Sequence, residues 1–255
     1  MQVGSLMAKT EWPRPNLRRL ALHGTLNSLL RDLAEERLIS LYPFSAEDQA
    51  KLANESLISD YLSNLGVVDQ SGLDQWCQKH LIDSPSQLAD FVRYKFKKNL
   101  IVDRLLSENG ETAFLKYKDR LDRVLYSVIR VPSEALAYHL FYAIDHDEIS
   151  FSDAAEQFSD GVEARSAGIV GPVDLCTPHP EIASRLKRGR PGELFEPFKA
   201  DEWFLVVSLL YRFESCYDDI SRKTLGQLLF SAKVAEFMPE VSKQLLRSHV
   251  AASPG

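Results

Sequence analysis

The sequence has few cysteines, no long apolar run and no excess of positive charge, and each absence excludes a class of protein. Cys77, Cys176 and Cys216 are widely spaced and odd in number, unlike the framework of a disulfide-rich secreted domain. The chain contains no run of about 18 apolar residues, the length that a membrane-spanning helix requires. The N-terminal residues lack the apolar core of about 7–15 residues that a secretory signal carries. We therefore expect free thiols and a cytoplasmic protein that does not insert into a membrane.

Positive charge is also scarce. The 255 residues include 30 Lys and Arg against 36 Asp and Glu, which gives a formal net charge of −6. Nucleic-acid binding normally needs a concentrated positive field, so nucleic acid is not an expected partner. A hydrophobic fraction of 45% and a charged fraction of 26% are typical of an ordinary globular protein.

Motifs for metals, phosphates and hydrolytic catalysis are missing too. Cys77 and His80 form a C-x-x-H pair that recurs at Cys176 and His179, but the two pairs lie in different halves of the chain. Their spacing does not match a zinc finger. The chain has no P-loop, no G-x-S-x-G and no H-E-x-x-H motif. The sequence therefore predicts no metal and no cofactor.

What the first half does contain is helical periodicity. Ser84 followed by Pro85 is a typical helix start, and the predicted helix runs to Leu106 and ends at Asn109-Gly110, with another helix after it. Residues 17–122 are predicted to form a helical bundle, preceded by a flexible arm over residues 1–16. One apolar stripe of this bundle consists of Leu26, Leu29, Leu30 and Leu33.

The pattern changes at Arg123. The run from Val124 to Val131 is rich in β-branched and aromatic residues and predicts a strand, and the apolar run from Trp203 to Leu209 predicts another. Ser133 is positioned to cap a helix between them, and Phe151 begins a second, shorter one. Strands and helices in this order imply an α+β domain with a small, mainly antiparallel sheet, assigned to residues 123–215.

The last region, Ile220 to Leu246, is predicted to be helical again, with Pro239 interrupting the helix. It carries an apolar stripe, and such a stripe needs a cover. We therefore expect residues 216–255 to form a C-terminal helix that packs on the N-terminal bundle. The stripe consists of Leu225, Leu228, Leu229 and Ala232.

Three segments of the middle region occur in an order that resembles the parvulin family of peptidyl-prolyl isomerases. They are Phe151–Asp160, Gly168–Pro172 and Gly192–Pro197, and the resemblance covers about residues 123–213. It implies a parvulin-like α+β domain that isomerises X–Pro bonds and needs no cofactor. With a helical N-terminal half, the whole arrangement is similar to bacterial foldase-chaperones. Proline-containing or unfolded polypeptides are then the expected partners.

The resemblance also implies a site. An X–Pro bond exchanges over a barrier of about 18–20 kcal/mol, and no covalent intermediate is needed to lower it. A dry apolar cup for the proline ring, and groups that favour the twisted imide, are sufficient. The cup would consist of Val170, Pro178, Ile182 and Phe204, and the catalytic positions would be Ser127, Asp160 and Gly161.

Several of these positions depart from the family pattern. Parvulins usually carry a histidine on the first strand, another on the last strand, and a Cys or Asp after the Ser-Asp pair. The matching residues here are Ser127, Phe204 and Gly161, and Tyr126 takes the first position if the register shifts by one residue. Asp160 is retained, but an aspartate there can equally cap its own loop.

Two functions are therefore compatible with the sequence. One is a peptidyl-prolyl isomerase with chaperone character, weakened by the replaced histidines. The alternative is a catalytically inactive domain that binds peptide or protein partners through the same cup.

Only Pro132-Ser133 separates the first strand from the next helix, which leaves no room for a phosphate-binding basic loop, so specificity for phosphoserine is not expected.

Overall fold

A computed structural model describes residues 19–54, 56–67 and 69–251 of the chain. The predicted N-terminal arm lies outside these residues. Over the described ranges, no helix combines the length and the apolar character needed to cross a membrane. The chain divides into two compact units, residues 109–225 and residues 1–108 together with 226–255. The sequence predicts domain boundaries after residues 122 and 215, whereas the two units meet after residues 108 and 225.

Helices dominate the described residues, and the strands are confined to the unit of residues 109–225. The predicted α+β class is confirmed. The helices are α1 Leu26–Leu41, α2 Ala46–Leu52, α3 Leu57–Asn64, α4 Gln70–Lys79, α5 Pro85–Lys116, α6 Lys118–Leu121, α7 Glu134–Asp145, α8 Phe151–Phe158, α9 Pro180–Arg188 and α10 Asp219–Ala251. The strands are β1 Arg123–Val131, β2 Ile169–Asp174, β3 Leu194–Ala200 and β4 Trp203–Phe213, and a short 3-10 helix covers Val162–Ser166.

The helical unit has two apolar clusters. One joins α1, α5 and the later turns of α10, where Ala34, Ile101 and Val234 are almost completely buried. The other is smaller and surrounds Leu62 and Val92 with partly buried aromatic side chains. Burial of these apolar side chains is the main force that holds short helices together, because isolated helices of this length are marginal in water.

Two predicted helix ends are wrong. Asn109-Gly110 does not end a helix, because α5 continues without a break to Lys116. Gly110 instead allows a close approach, since a Cβ there would lie 2.1 Å from the hydroxyl oxygen of Tyr217. Pro239 does not interrupt α10 but lies inside it. A proline removes one backbone hydrogen bond, and the burial of Phe230 and its neighbours on the same helix offsets that loss.

The sheet has the strand order β2-β1-β4-β3, and every neighbouring pair is antiparallel. Because side chains alternate along a strand, β1 contributes to two different apolar clusters. On one side, Val124 and Val128 pack with α9, and we call this side the α9 face. On the other, Ile129 and Val131 pack with α7 and α8, and we call this side the α7/α8 face.

Candidate functional site

The α9 face brings together part of the predicted cup. Val170 of β2 pairs with Tyr126 of β1, and Ile182 of α9 is 3% exposed in the same apolar cluster. The sequence places α9 there by a clear start signal, in which His179 caps the helix and Pro180 occupies its first turn. The α9 face therefore presents apolar groups from a strand and a helix to one region.

The remaining predicted residues are divided between the two faces. Phe204 pairs with Val131 across β1 and β4 and packs on the α7/α8 face. Ser127 is 4% exposed and, by strand alternation, points to the same side as Val131. Pro178 is half-buried and lies just before α9. The structure thus places Val170 and Ile182 on the α9 face but Ser127 and Phe204 on the α7/α8 face. The roles assigned to all these residues stay predictions.

Of the two candidates for the first-strand position, Tyr126 lies on the α9 face and Ser127 on the other. Tyr126 lies there with 5% exposure because it alternates along β1 with Val124 and Val128, and the shift in pairing beside it is an extra residue in β4. Burial raises the pKa of Tyr126, the Arg130 guanidinium acts in the opposite direction, and the Glu163 carboxylate raises the pKa further. The phenol is therefore buried on the α9 face and feels the charges of one cation and one anion.

The loop between α8 and β2 runs beside the second half of β1. The backbone N–H of Asp160 donates to the carbonyl of Arg130 at 2.9 Å, and the N–H of Val128 donates to the carbonyl of Gly168 at 2.9 Å. The N–H of Arg130 in turn donates to Ser159 Oγ at 3.0 Å. The side chain of Asp160 is exposed, so its described contact with β1 is made by its backbone.

This loop carries a charged residue that the sequence reasoning missed. Glu163 has a side chain that is only 4% exposed, and its Oε1 accepts from Arg130 Nε at 2.6 Å. The Arg130 side chain is 40% exposed, so the ion pair joins a buried carboxylate to a cation at the surface. Arg130 is on the α9 face, because it alternates with Val128 and pairs with Leu205 of that cluster.

Gly161 explains how Glu163 reaches this place. A Cβ on Gly161 would lie 1.9 Å from Oε1 and 2.3 Å from Cδ of Glu163. The Glu163 carboxylate therefore occupies the space that a side chain at residue 161 would fill. The absent side chain at 161, with a glutamate two residues later, was the sequence signal that could have identified this pair.

Two other glycines let the same loop approach β1. Gly168 has φ +79°, and a Cβ there would be 2.9 Å from the Cβ of Ala155. Gly171 has φ +109°, and its Cβ would be 2.5 Å from the carbonyl oxygen of Val124. A side chain at either position would be strained and would push β2 away from β1.

The described residues contain no group of three or more His, Cys, Asp or Glu side chains arranged to hold a metal ion. Cys77, Cys176 and Cys216 are free. The site consequently combines an apolar cluster, one phenol and one ion pair. These groups can bind an apolar ring and offer hydrogen bonds and charge beside it.

Comparison with known proteins identifies the domain that holds this site. Residues 130–210 match the family model of the rotamase or PPIC-type peptidyl-prolyl isomerase domain. Among solved structures, PrsA from Bacillus cereus is 15% identical, covers 93% of this chain and 86% of its own, and has a TM-score of 0.46. Foldase protein PrsA from Streptococcus pneumoniae is 13% identical, with coverages of 94% and 90% and a TM-score of 0.46.

A structure from Campylobacter jejuni, from work that describes PEB4 and Cj1289 as SurA-like chaperones, is 14% identical, with coverages of 79% and 94% and a TM-score of 0.34. No curated protein sequence matches the chain. The family assignment thus rests on the match of residues 130–210, which contain the last two residues of β1, all of β2 and β3, most of β4, and the loop that carries Glu163. This part of the chain is a peptidyl-prolyl isomerase domain of the PPIC type and belongs to the parvulin family.

Proposed function

We propose that this domain catalyses cis–trans exchange of X–Pro bonds in polypeptide clients, and that the α9 face is its active site. The observation that carries the proposal is that Val170, Ile182 and Tyr126 share one face of the sheet. An apolar cluster removes the proline ring from water, at a gain of about 25 cal/mol per Å² of buried apolar surface. Binding of this kind lowers the barrier when it favours the twisted imide over the planar one.

Tyr126 supplies the polar part of the proposed mechanism. The phenol, whose pKa burial raises above its ordinary value, is protonated at neutral pH and has an O–H to donate to a bound substrate. A twisted imide loses its resonance and leaves a more basic nitrogen, and a donor beside it stabilises that state more than the planar one. The chemistry requires no proton transfer, metal or covalent intermediate.

The second candidate is a domain that binds proline-containing segments without accelerating their exchange. It is favoured by one observation, the position of Ser127 and Phe204 on the α7/α8 face, away from the cup. The polar groups on the α9 face are then fewer than the family pattern implies. Under either candidate we propose unfolded or proline-containing polypeptides as clients, a holding role for the helical unit, and a cytoplasmic location.

The test uses the full chain and a short proline peptide whose cis–trans exchange is followed by NMR. We expect exchange to accelerate in proportion to protein concentration. Val170→Asp should abolish both acceleration and binding, because it places an unpaired charge against apolar groups. Ile169→Asp is the matched control, since Ile169 is the neighbouring strand residue and is 44% exposed.

Binding without acceleration would select the second candidate. Equal loss of binding in the Val170 and Ile169 variants would remove the α9 face from the mechanism. Circular dichroism of both variants checks that each remains folded.

A further inference from the structure

The ion pair between Arg130 and Glu163 lies beside the proposed cup, and its two side chains differ strongly in how far they are buried. The carboxylate is 4% exposed, whereas the guanidinium side chain is 40% exposed. Burial of a carboxylate is costly unless it is paired. Glu163 thus depends on Arg130 for its charge balance, and Arg130 would be an uncompensated surface cation without Glu163.

Arg130 is directed to the same side of the sheet as the cup. It lies on the α9 face with Tyr126, and both Arg130 and Glu163 are close enough to alter the pKa of that phenol. A guanidinium has five N–H donors, of which Nε supplies one to Glu163. The terminal nitrogens remain as donors at a partly exposed site on the same face of the sheet as the cup.

We propose that Glu163 is a specificity-determining residue, which neutralises Arg130 so that the site accepts proline segments regardless of the charge of the flanking residues. This inference rests on the proposed binding of proline segments to the α9 face. Loss of the Glu163 charge would leave Arg130 as a cation at the edge of the cup. The site would then prefer an acidic residue beside the proline and disfavour a lysine there.

The space at Gly161 offers a second way to reach the same charge balance. A Cβ on Gly161 would be 2.3 Å from Cδ of Glu163. An aspartate at 161 would therefore place its carboxylate close to the position that the Glu163 carboxylate occupies. The double variant Gly161→Asp with Glu163→Ala should restore the charge near Arg130, whereas Gly161→Asp alone would collide with Glu163.

The experiment uses the full chain and three peptides that carry Glu, Ala or Lys directly before the proline, with a second set that carries them directly after it. Affinity is measured by NMR titration, and cis–trans exchange is measured on the same samples. The wild-type chain should bind the Glu and Lys peptides equally within about twofold. Glu163→Gln should change the Glu-to-Lys affinity ratio by about two- to fivefold in favour of Glu, the range that exposed ion pairs supply.

Two further variants separate charge from structure. Removal of both charges, in Arg130→Gln with Glu163→Gln, should return the ratio to the wild-type value. The Gly161→Asp, Glu163→Ala variant should do the same, while Glu163→Ala alone should favour the Glu peptides. A folded Glu163→Gln chain with an unchanged ratio in both peptide sets would overturn the inference.

The proposed function fails in a different way. If the wild-type chain binds none of the peptides, the α9 face is not a proline site, and the basis of the inference is lost with it. If the chain binds but does not accelerate exchange, only the catalytic proposal fails. The affinity ratios then still decide the role of Glu163.

Discussion

The two faces of the sheet differ in how they are covered. The α7/α8 face is closed by two helices, and Ile129, Val131 and Val206 on it have no exposed surface, as is also true of Val124, Val128 and Val207 on the α9 face. The α9 face is covered by one helix of nine residues and carries a phenol and an ion pair among its apolar groups. The α7/α8 face thus forms an apolar core, whereas the α9 face combines an apolar core with polar groups that can act on a substrate.

The difference has a physical reason. Polar groups need partners or water, and a face closed by two helices supplies neither unless hydrogen-bonding groups are built in. At the edge of the α9 face, Arg130 keeps part of its side chain in water while it pairs with Glu163. The face whose ion pair reaches the surface is therefore the one that can retain a phenol and charged groups for binding.

The largest effect that distinguishes the faces is expected from matched core truncations. Ile182→Ala on the α9 face and Leu140→Ala on the α7/α8 face remove side chains that are 3% and 2% exposed. Each should lower the free energy of unfolding by about 2–5 kcal/mol. Hydrogen exchange of the β1 amides measures the free energy of unfolding of the unit formed by residues 109–225. Only Ile182→Ala should also weaken peptide binding by the folded protein, and equal weakening would contradict the distinction between the faces.

A smaller effect separates two adjacent residues of β1. Tyr126→Phe removes the hydroxyl on the α9 face and retains the ring, and we expect exchange of a proline peptide to slow about three- to tenfold, the value of one hydrogen bond. Ser127→Ala removes the hydroxyl on the opposite face and should leave the rate within about twofold of wild type. Rates measured by NMR exchange at equal folded fraction decide between them, and the reverse order would assign the first-strand role to Ser127.

The smallest effect concerns the titration of Tyr126. Its pKa lies above the ordinary value of about 10, with burial as the main cause and Glu163 adding to it. The stability gained by keeping this phenol neutral is present below pH 10 and is lost as the pH rises through the raised value. Because the pKa values of Tyr61 and Tyr94 are raised by burial as well, ultraviolet titration of Tyr126→Phe should show one late-ionising tyrosine fewer than the wild type, namely Tyr126. In Glu163→Gln it should ionise earlier, and an unchanged position would mean that Glu163 does not act on it.

Much of the domain could be read from local patterns. The β-branched run from Val124 to Val131 became β1, and Ser133 caps α7 through the N–H of Leu136 as expected for an N-cap. Gly110 and Pro239 misled the prediction, because local propensity favours a break at each and tertiary packing overrode it. Such residues report what the isolated chain prefers, and the folded protein balances that preference against buried contacts.

The site was predicted only in part for a related reason. Val170 and Ile182 are apolar residues in recognisable motifs, and the structure places them on one face. The face of Phe204 and the choice between Tyr126 and Ser127 depend on strand register, and a shift of one residue moves a side chain to the other side of a sheet. That register is set by the pairing of β1 with β2 and β4, which the local sequence does not specify.

The sequence by itself determined the order of helices and strands, the α+β class and the motifs of a parvulin-type domain, since these follow from periodicity and from the identity of neighbouring residues. Only the tertiary structure decided that Tyr126 faces the cup and that Glu163 occupies the space left at Gly161 beside Arg130. Those outcomes depend on register and on contacts between β1 and a loop about 30 residues further along the chain. The pairing of residues distant in sequence is set by packing, which periodicity does not encode.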